Sequence, residues 1–397
     1  LYCLFEFILA LLNPYPPVCT NGFIYDIIDK IGIGDQTMRR RSLTIYTISH
    51  FIVDFACFFI LFGRFTQSAG PTSAGLGFLV YNVIAFGLQP VFGYICDRRK
   101  GLPAGALGCF LVAAAVIPIL GVWAQLAAAA LGNALFHVGG GINNLSSSDG
   151  RMGASGIFVS SGGLGVALGT LAASYAGPSA YLCLAVTAAV SVCGVLTASI
   201  RPLSSESGYE PRAFIPAVNA KGFYAVIALC FISIFVRAYV GGSVPMGFKT
   251  GALMAVLVAC AASLGKALGG FAADRFGARL IGAVTLLASA PLLCLFHDSA
   301  YLCALGLMLF NMSMPITLCG IASKLPRNPG LAFGLSTLAL LLGSAPLFFF
   351  VVEGPASIIV MAALTLLSAG CLYAACSPSA SLCACSAHSE VNPQKRP

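Results

Sequence analysis

The chain has 397 residues, of which 58% are hydrophobic and only 9% charged. Soluble globular proteins carry about 25% charged residues, so this composition excludes a soluble enzyme, a disordered chain and a nucleic-acid-binding module. A polytopic membrane protein remains, and at roughly 20 residues per membrane helix the length allows about twelve spans. The apolar runs are continuous, whereas the strands of a membrane barrel alternate apolar and polar residues. The net charge of +8 belongs to the loops flanking a membrane rather than to a nucleic-acid face.

In chain order, residues 1–37 mix Pro, Asp and Gly with one apolar stretch, Leu4 to Leu12. That stretch is too short to span and lacks the basic flank of a signal peptide. Met38 is followed by Arg39, Arg40 and Arg41 and then by a long apolar run, the pattern of a basic flank entering a first helix. Residues 1–37 are therefore expected to be a non-native leader or a disordered extension. An N-terminal half, 38–200, holds six apolar segments near 43–64, 75–95, 102–121, 123–144, 153–175 and 179–200. A cytoplasmic linker, 201–220, carries Pro202, Pro211 and Pro216. A C-terminal half, 221–376, holds six more segments near 221–242, 250–272, 279–297, 300–322, 330–350 and 355–376, and 377–397 form a tail. With the N-terminus placed in the cytoplasm, the inner loops collect the clusters at Arg39–Arg41, Arg98–Lys100, Arg275 and Arg279, while the outer side holds Arg64 and Lys249. The bias puts both termini in the cytoplasm.

Most of the 16 cysteines lie inside apolar runs, as at Cys57, Cys109, Cys230 and Cys319, where Cys acts as a small hydrophobe. Cys383, Cys385 and His388 in the tail lack a recognised ligand spacing. No metal and no cofactor are expected.

The two halves resemble each other. Gly93-Tyr94-Ile95-Cys96-Asp97-Arg98-Arg99-Lys100 follows the second segment, and Gly270-Phe271-Ala272-Ala273-Asp274-Arg275 follows the eighth. Gly156 and Gly165 in the fifth segment match Gly334 and Gly343 in the eleventh, and Leu135-Phe136-His137 matches Leu309-Phe310-Asn311. This is a parallel duplication of six helices, as in transporters whose halves are related by an axis along the membrane normal. The expected fold class is an all-α membrane protein of twelve transmembrane helices in two pseudo-symmetric six-helix halves.

With these motifs the sequence resembles the major facilitator superfamily (MFS) from about Met38 to Cys376. Three patches resemble its fosmidomycin-resistance branch: Ser49-His50-Phe51-Ile52-Val53-Asp54, Phe136-His137 and Arg237-Ala238-Tyr239-Val240. That branch continues Phe-His with Pro-Glu, where this chain has Val138-Gly139. Gly156, Gly165 and Gly169 resemble the glycine motif of drug/proton antiporters, with Thr170 in place of the proline expected next. The resemblance implies that Gly93, Asp97, Arg98, Gly270, Asp274 and Arg275 form a gating motif that holds the halves together in the outward-facing state. The plainer reading of these residues is a membrane-edge anchor.

Ionisable groups inside a bilayer cost at least ~2.5–3.5 kcal/mol on insertion scales, so each is a functional candidate. Asp54 lies mid-segment, with His50 one helical turn away on the same face. Such a pair can load and release a proton near physiological pH, or it can serve as a packing hydrogen bond. His137 is read either as a substrate contact or as a buried neutral imidazole. Arg237 offers a charged planar fork for an anion, with a salt bridge to Asp54 or Glu353 as its alternative. Lys266 is a second cationic contact or a snorkelling side chain. Asn311 and Tyr239 complete the substrate-binding set. Arg237 and Lys266 against Asp54 make the interior cation-rich, which points to an anionic substrate.

There is no P-loop, nucleophile elbow or HExxH motif, and no catalytic residue is assigned. The sequence reads as a non-enzymatic, monomeric secondary transporter of the plasma (inner) membrane, with a small anionic molecule, protons and the bilayer as its partners. Proton-coupled efflux is the first assignment and proton-coupled uptake by symport the second. A membrane sensor that does not transport is the rival from another class.

Overall fold

The computed structural model describes residues 33–148, 150–200, 213–214, 220–249, 251–350, 352 and 354–377. Most of the expected leader and linker, Glu353, and the tail with Cys383, Cys385 and His388 lie outside the described residues.

The described chain is almost wholly helical. Ten helices are long and apolar enough to cross a membrane: α1 Thr37–Gly70, α2 Ser73–Arg98, α5 Met152–Tyr175, α6 Ala180–Ala198, α7 Gly222–Ser243, α8 Ala252–Phe276, α9 Ala278–Leu295, α10 Ala300–Lys324, α11 Pro329–Phe348 and α12 Pro355–Ala375. Two more complete the order, α3 Ala104–Val116 and α4 Val122–Ser147. Helix α4 is long but polar along one side, burying Asn133, His137, Asn143 and Asn144. Helix α3 is shorter than its apolar segment because Ile117 turns extended, at ψ 128°, ahead of Pro118, as a residue before proline prefers.

The duplication seen in the sequence returns in the packing. Helix α1 packs on α5 and α7 on α11; α2 on α4 and α8 on α10; α3 on α6 and α9 on α12. The halves meet along two seams, α5 against α8 and α2 against α11. Small residues make the closest approaches. A Cβ on Gly165 or Gly169 would collide with the carbonyls of Phe51 and Phe55 on α1, and one on Gly343 with the carbonyl of Phe235 on α7. Close backbone approach at glycine is how membrane helices gain dispersion contact where the surrounding lipid removes most of the hydrophobic drive.

Two local features bear on the site. Helix α1 contains one wide turn, Leu61–Phe65, and ends at Gly70, whose φ of 76° lets the chain reverse into α2. Helix α10 carries Pro315, four residues after Asn311. Proline has no N–H, so the Asn311 carbonyl loses its helical partner near the middle of the span. Within the linker, Phe214 is buried against Gly320 and bridges to Cys376.

Candidate functional site

The buried ionisable residues described in the N-terminal half, His50, Asp54 and His137, form one cluster built by α1, α4 and α5. His50 and Asp54 face the same way one turn apart, with His50 Nε2 3.3 Å from Asp54 Oδ2. Helix α4 brings His137 to both: its Nε2 lies 3.0 Å from His50 Nε2 and 3.7 Å from Asp54 Oδ1. Asn133, one turn before His137, donates its amide to Asp54 Oδ1 at 2.8 Å. Backbone carbonyls fix the far side of each ring. His50 Nδ1 meets Phe158 O at 2.8 Å, and His137 Nδ1 meets Asn133 O at 2.9 Å. His50 stacks on Phe158 with ring centroids 4.5 Å apart. All three ionisable side chains are buried. Their donor atoms lie within 4.8 Å of one another, the compactness that a metal site requires, and among the described residues they are the one such group.

The cluster sits against the seam. Phe333 of α11 lies over His137, with centroids 6.4 Å apart, and over Phe158 at 6.1 Å. Helix α5 closes the other side with Gly162, where a Cβ would strike both His50 Nε2 and Asp54 Oδ2. Its neighbour Gly163 faces the C-terminal half, where a Cβ would lie 3.3 Å from Lys266 Nζ and 3.1 Å from Ser263 Oγ. Two consecutive glycines thus separate the acidic cluster from the nearest cation of the other half.

Among the described residues the C-terminal half supplies interior cations that form no ion pair with a carboxylate. Arg237 is buried and donates to Thr317 Oγ1 of α10 at 3.3 Å. Among the described residues it forms no ion pair, so Asp54 is not its partner; Glu353 lies outside the described residues. Lys266 is half-buried, forms no ion pair among the described residues, and is within electrostatic reach of both Arg237 and Asp54. Asn311 and Tyr239 are half-buried. The Asn311 amide donates back to Leu307 O at 2.9 Å.

The repeated acidic motifs form two matching contacts at the basic face. Asp97 accepts the N–H groups of Gly330 and Leu331, at 2.9 and 2.8 Å, from the start of α11. Asp274 accepts those of Met152 and Gly153, both at 2.8 Å, from the start of α5. Each carboxylate caps a helix of the opposite half, where unpaired N–H groups and the helix dipole favour an anion. Gly93 and Gly270 allow this approach: a Cβ there would strike the carbonyls of Gly330 and Met152. The arginines of the motifs point elsewhere. Arg98 lies over the Tyr94 ring at 4.9 Å and Arg275 over the Phe276 ring at 5.6 Å.

Reading the ionisable residues alone misses Asn133, Thr317 and Ser263. Asn133 and Thr317 are polar residues in apolar segments. The spacing of Asn133 one turn before His137 is the signal that could have found it.

No family model and no curated protein matches the sequence. Solved structures do. The human organic anion transporter MFSD10 (TETRAN) superposes with a TM-score of 0.62 at 14% identity, covering 84% of this chain and 99% of that one. The MFS transporter FucP in its outward conformation gives 0.54 at 13% identity, covering 84% and 96%. A variant of the E. coli fucose:proton symporter FucP gives 0.56 at 14%, covering 84% and 96%. The chain therefore has the major facilitator fold, that of a multi-pass membrane protein.

Proposed function

We propose that this protein is a secondary active transporter that moves a small anionic molecule by alternating access. One observation carries the reading: Arg237 and Lys266 are two interior cations with no carboxylate partner among the described residues, beside a cluster in which Asp54 is already engaged by two histidines and an asparagine. Unpaired charge in a membrane interior is costly, and an anionic ligand offsets that cost. That one similar structure is described as an organic anion transporter accords with this reading and does not identify the compound.

The two halves rock about this centre. The Asp97 and Asp274 contacts close the basic face, and their release opens it. His50 and Asp54 carry the coupling proton. The glycine spacing of α5 is the ground for efflux, and the interior cations beside the histidine–aspartate cluster are the ground for uptake by symport. The protein acts as a monomer in the plasma membrane with both termini cytoplasmic. The three patches around Asp54, His137 and Arg237 support a reading within the fosmidomycin-resistance branch.

The test is a ligand-induced thermal-stability screen on the purified chain with matched anionic, cationic and neutral small molecules, repeated with Arg237→Ala. A ligand that binds only the folded state raises the melting temperature by mass action. Stabilisation by anions in the parent and its loss in the variant is the expected result. Stabilisation by cations alone, or an unchanged response in the variant, rejects the anion assignment.

A further inference from the structure

We infer that His50, His137 and Asp54 hold one proton in common, and that this proton is bound together with the anion rather than exchanged for it. The first part rests on hydrogen-bond accounting. A backbone carbonyl offers only lone pairs, so the ring nitrogens facing Phe158 O and Asn133 O, at 2.8 and 2.9 Å, must each carry a hydrogen. Each neutral ring then turns a bare Nε2 toward the other. Those two acceptors stand 3.0 Å apart, with the Asp54 carboxylate 3.3 and 3.7 Å away. Asn133 supplies a hydrogen to Asp54 Oδ1, but neither bare Nε2 has a donor. Two ring nitrogens facing each other and a carboxylate with no hydrogen between them form an arrangement a buried site does not sustain. A single extra proton on either Nε2 resolves it. The histidine contact becomes N–H···N, and the resulting imidazolium faces the carboxylate. His137 thereby becomes the third member of the coupling site rather than a substrate contact.

The second part follows from the charges around the cluster. From α1 it meets Cys57, and from α2 Tyr81, both neutral. Helix α5 offers Gly162 and Phe158 at the contact, neither of them titratable. Among the described residues the charged group at this step is Lys266 of α8, next to Gly163 and within electrostatic reach of Asp54, and Arg237 of α7 is in turn within reach of Lys266. Lys266 is positive and repels the shared proton, and Arg237 adds to the positive field at Lys266. An anion that settles on them cancels that repulsion and tightens the hold on the proton. Linkage requires the reverse as well, so the bound proton tightens the hold on the anion by the same factor. Two ligands that favour each other's binding cross in the same direction. On the transport reading, on which this consequence alone depends, an inward proton gradient then drives uptake.

The test follows the imidazole nitrogens by NMR in the full chain, 15N-labelled at histidine and solubilised in detergent with a chelator. His297→Gln and His388→Gln in the same chain remove the other two of its 4 histidines. Both remaining rings are expected to keep Nδ1–H and to lose one Nε2 proton in a single step seen at both residues. His137→Asn should leave His50 titrating alone. Lys266→Gln, which removes positive charge as an anion would, should move the shared step upward by about half to one pH unit, the scale of one unit charge in a partly desolvated site, and Arg237→Gln should move it the same way by less. A ring without Nδ1–H, two independent titrations, or a stoichiometric metal that survives the chelator overturns the shared proton. A step that does not move in either cation variant overturns joint binding of proton and anion. Neither result bears on the thermal-stability screen, so failure of this inference is distinguishable from failure of the transport reading.

Discussion

The two ends of the duplicated architecture teach different things. At the basic face the halves are near copies. Asp97 and Asp274 each accept two backbone N–H groups at 2.8–2.9 Å from the start of a helix in the opposite half. At the centre the halves diverge. Where the N-terminal half places His137 in a packed cluster with His50 and Asp54, the C-terminal half has Asn311 at the matching position and contributes cations that form no ion pair among the described residues. The duplicated helices keep matching contacts at the basic face and differ in the polar residues they place at the centre.

The largest effect is expected at the symmetric end. Asp97→Asn or Asp274→Asn replaces one carboxylate oxygen with an NH2 group facing an N–H donor. Hydrogen bonds to charged groups are worth about 1.5–3 kcal/mol, so either change should weaken the closed basic face by about that amount. The two contacts lie on separate seams, so the double variant should approach the sum, about 3–6 kcal/mol. Spin labels placed across the basic face of the two halves measure the separation. If the double variant keeps the parent's distance distribution, these aspartates do not hold the face closed. Next in size, Gly93→Ala and Gly270→Ala put a methyl against a backbone carbonyl that cannot rotate away. Overpacking of this kind costs about 1–3 kcal/mol. Matched losses in the same assay would sharpen the symmetry, and a loss at one site alone would break it.

At the centre the expected signature is pH dependence. If one proton binds with one anion, anion affinity in the parent should rise as pH falls, by up to about tenfold per pH unit. Asp54→Asn should flatten that dependence, whereas Asp97→Asn should leave its slope in place. The measurement is anion-induced thermal stabilisation across a pH series. A parent response that is flat or reversed, with stabilisation growing as pH rises, contradicts joint binding and returns the efflux assignment to first place.

Much of this was legible in the sequence because its carriers are local. Twelve apolar segments, the offset between Gly93 and Gly270, and the one-turn spacing of His50 and Asp54 all survive without knowledge of packing. The meeting of His137 with that pair was not legible, because α1 and α4 are joined only by the register of their packing. The same holds for Asp97 and Asp274. Sequence marks them as a motif, but their partners are backbone N–H groups of Gly330, Leu331, Met152 and Gly153, which any residue other than proline supplies. Sequence reasoning also centred on ionisable groups and so passed over Asn133 and Thr317, the neutral side chains that orient Asp54 and Arg237.

The smallest predicted effect tests whether the centre's energetics are special. Ser233 and Ser368 are fully buried and share a hydrogen bond of 2.7 Å between α7 and α12, away from the seams. Hydrogen bonds between membrane helices average only about 0.6 kcal/mol, because the unfolded chain in the membrane also finds partners. Ser233→Ala and Ser368→Ala should therefore each lower thermal stability slightly, and the double variant should cost little more than either single, since one bond is lost in all three. Anion response and its pH dependence should be unchanged. If these serines altered the pH dependence as much as Asp54→Asn, coupling would be spread through the polar interior rather than held by the acidic cluster. The division of labour between the two halves would then fail at its centre while the symmetric contacts of the basic face stood.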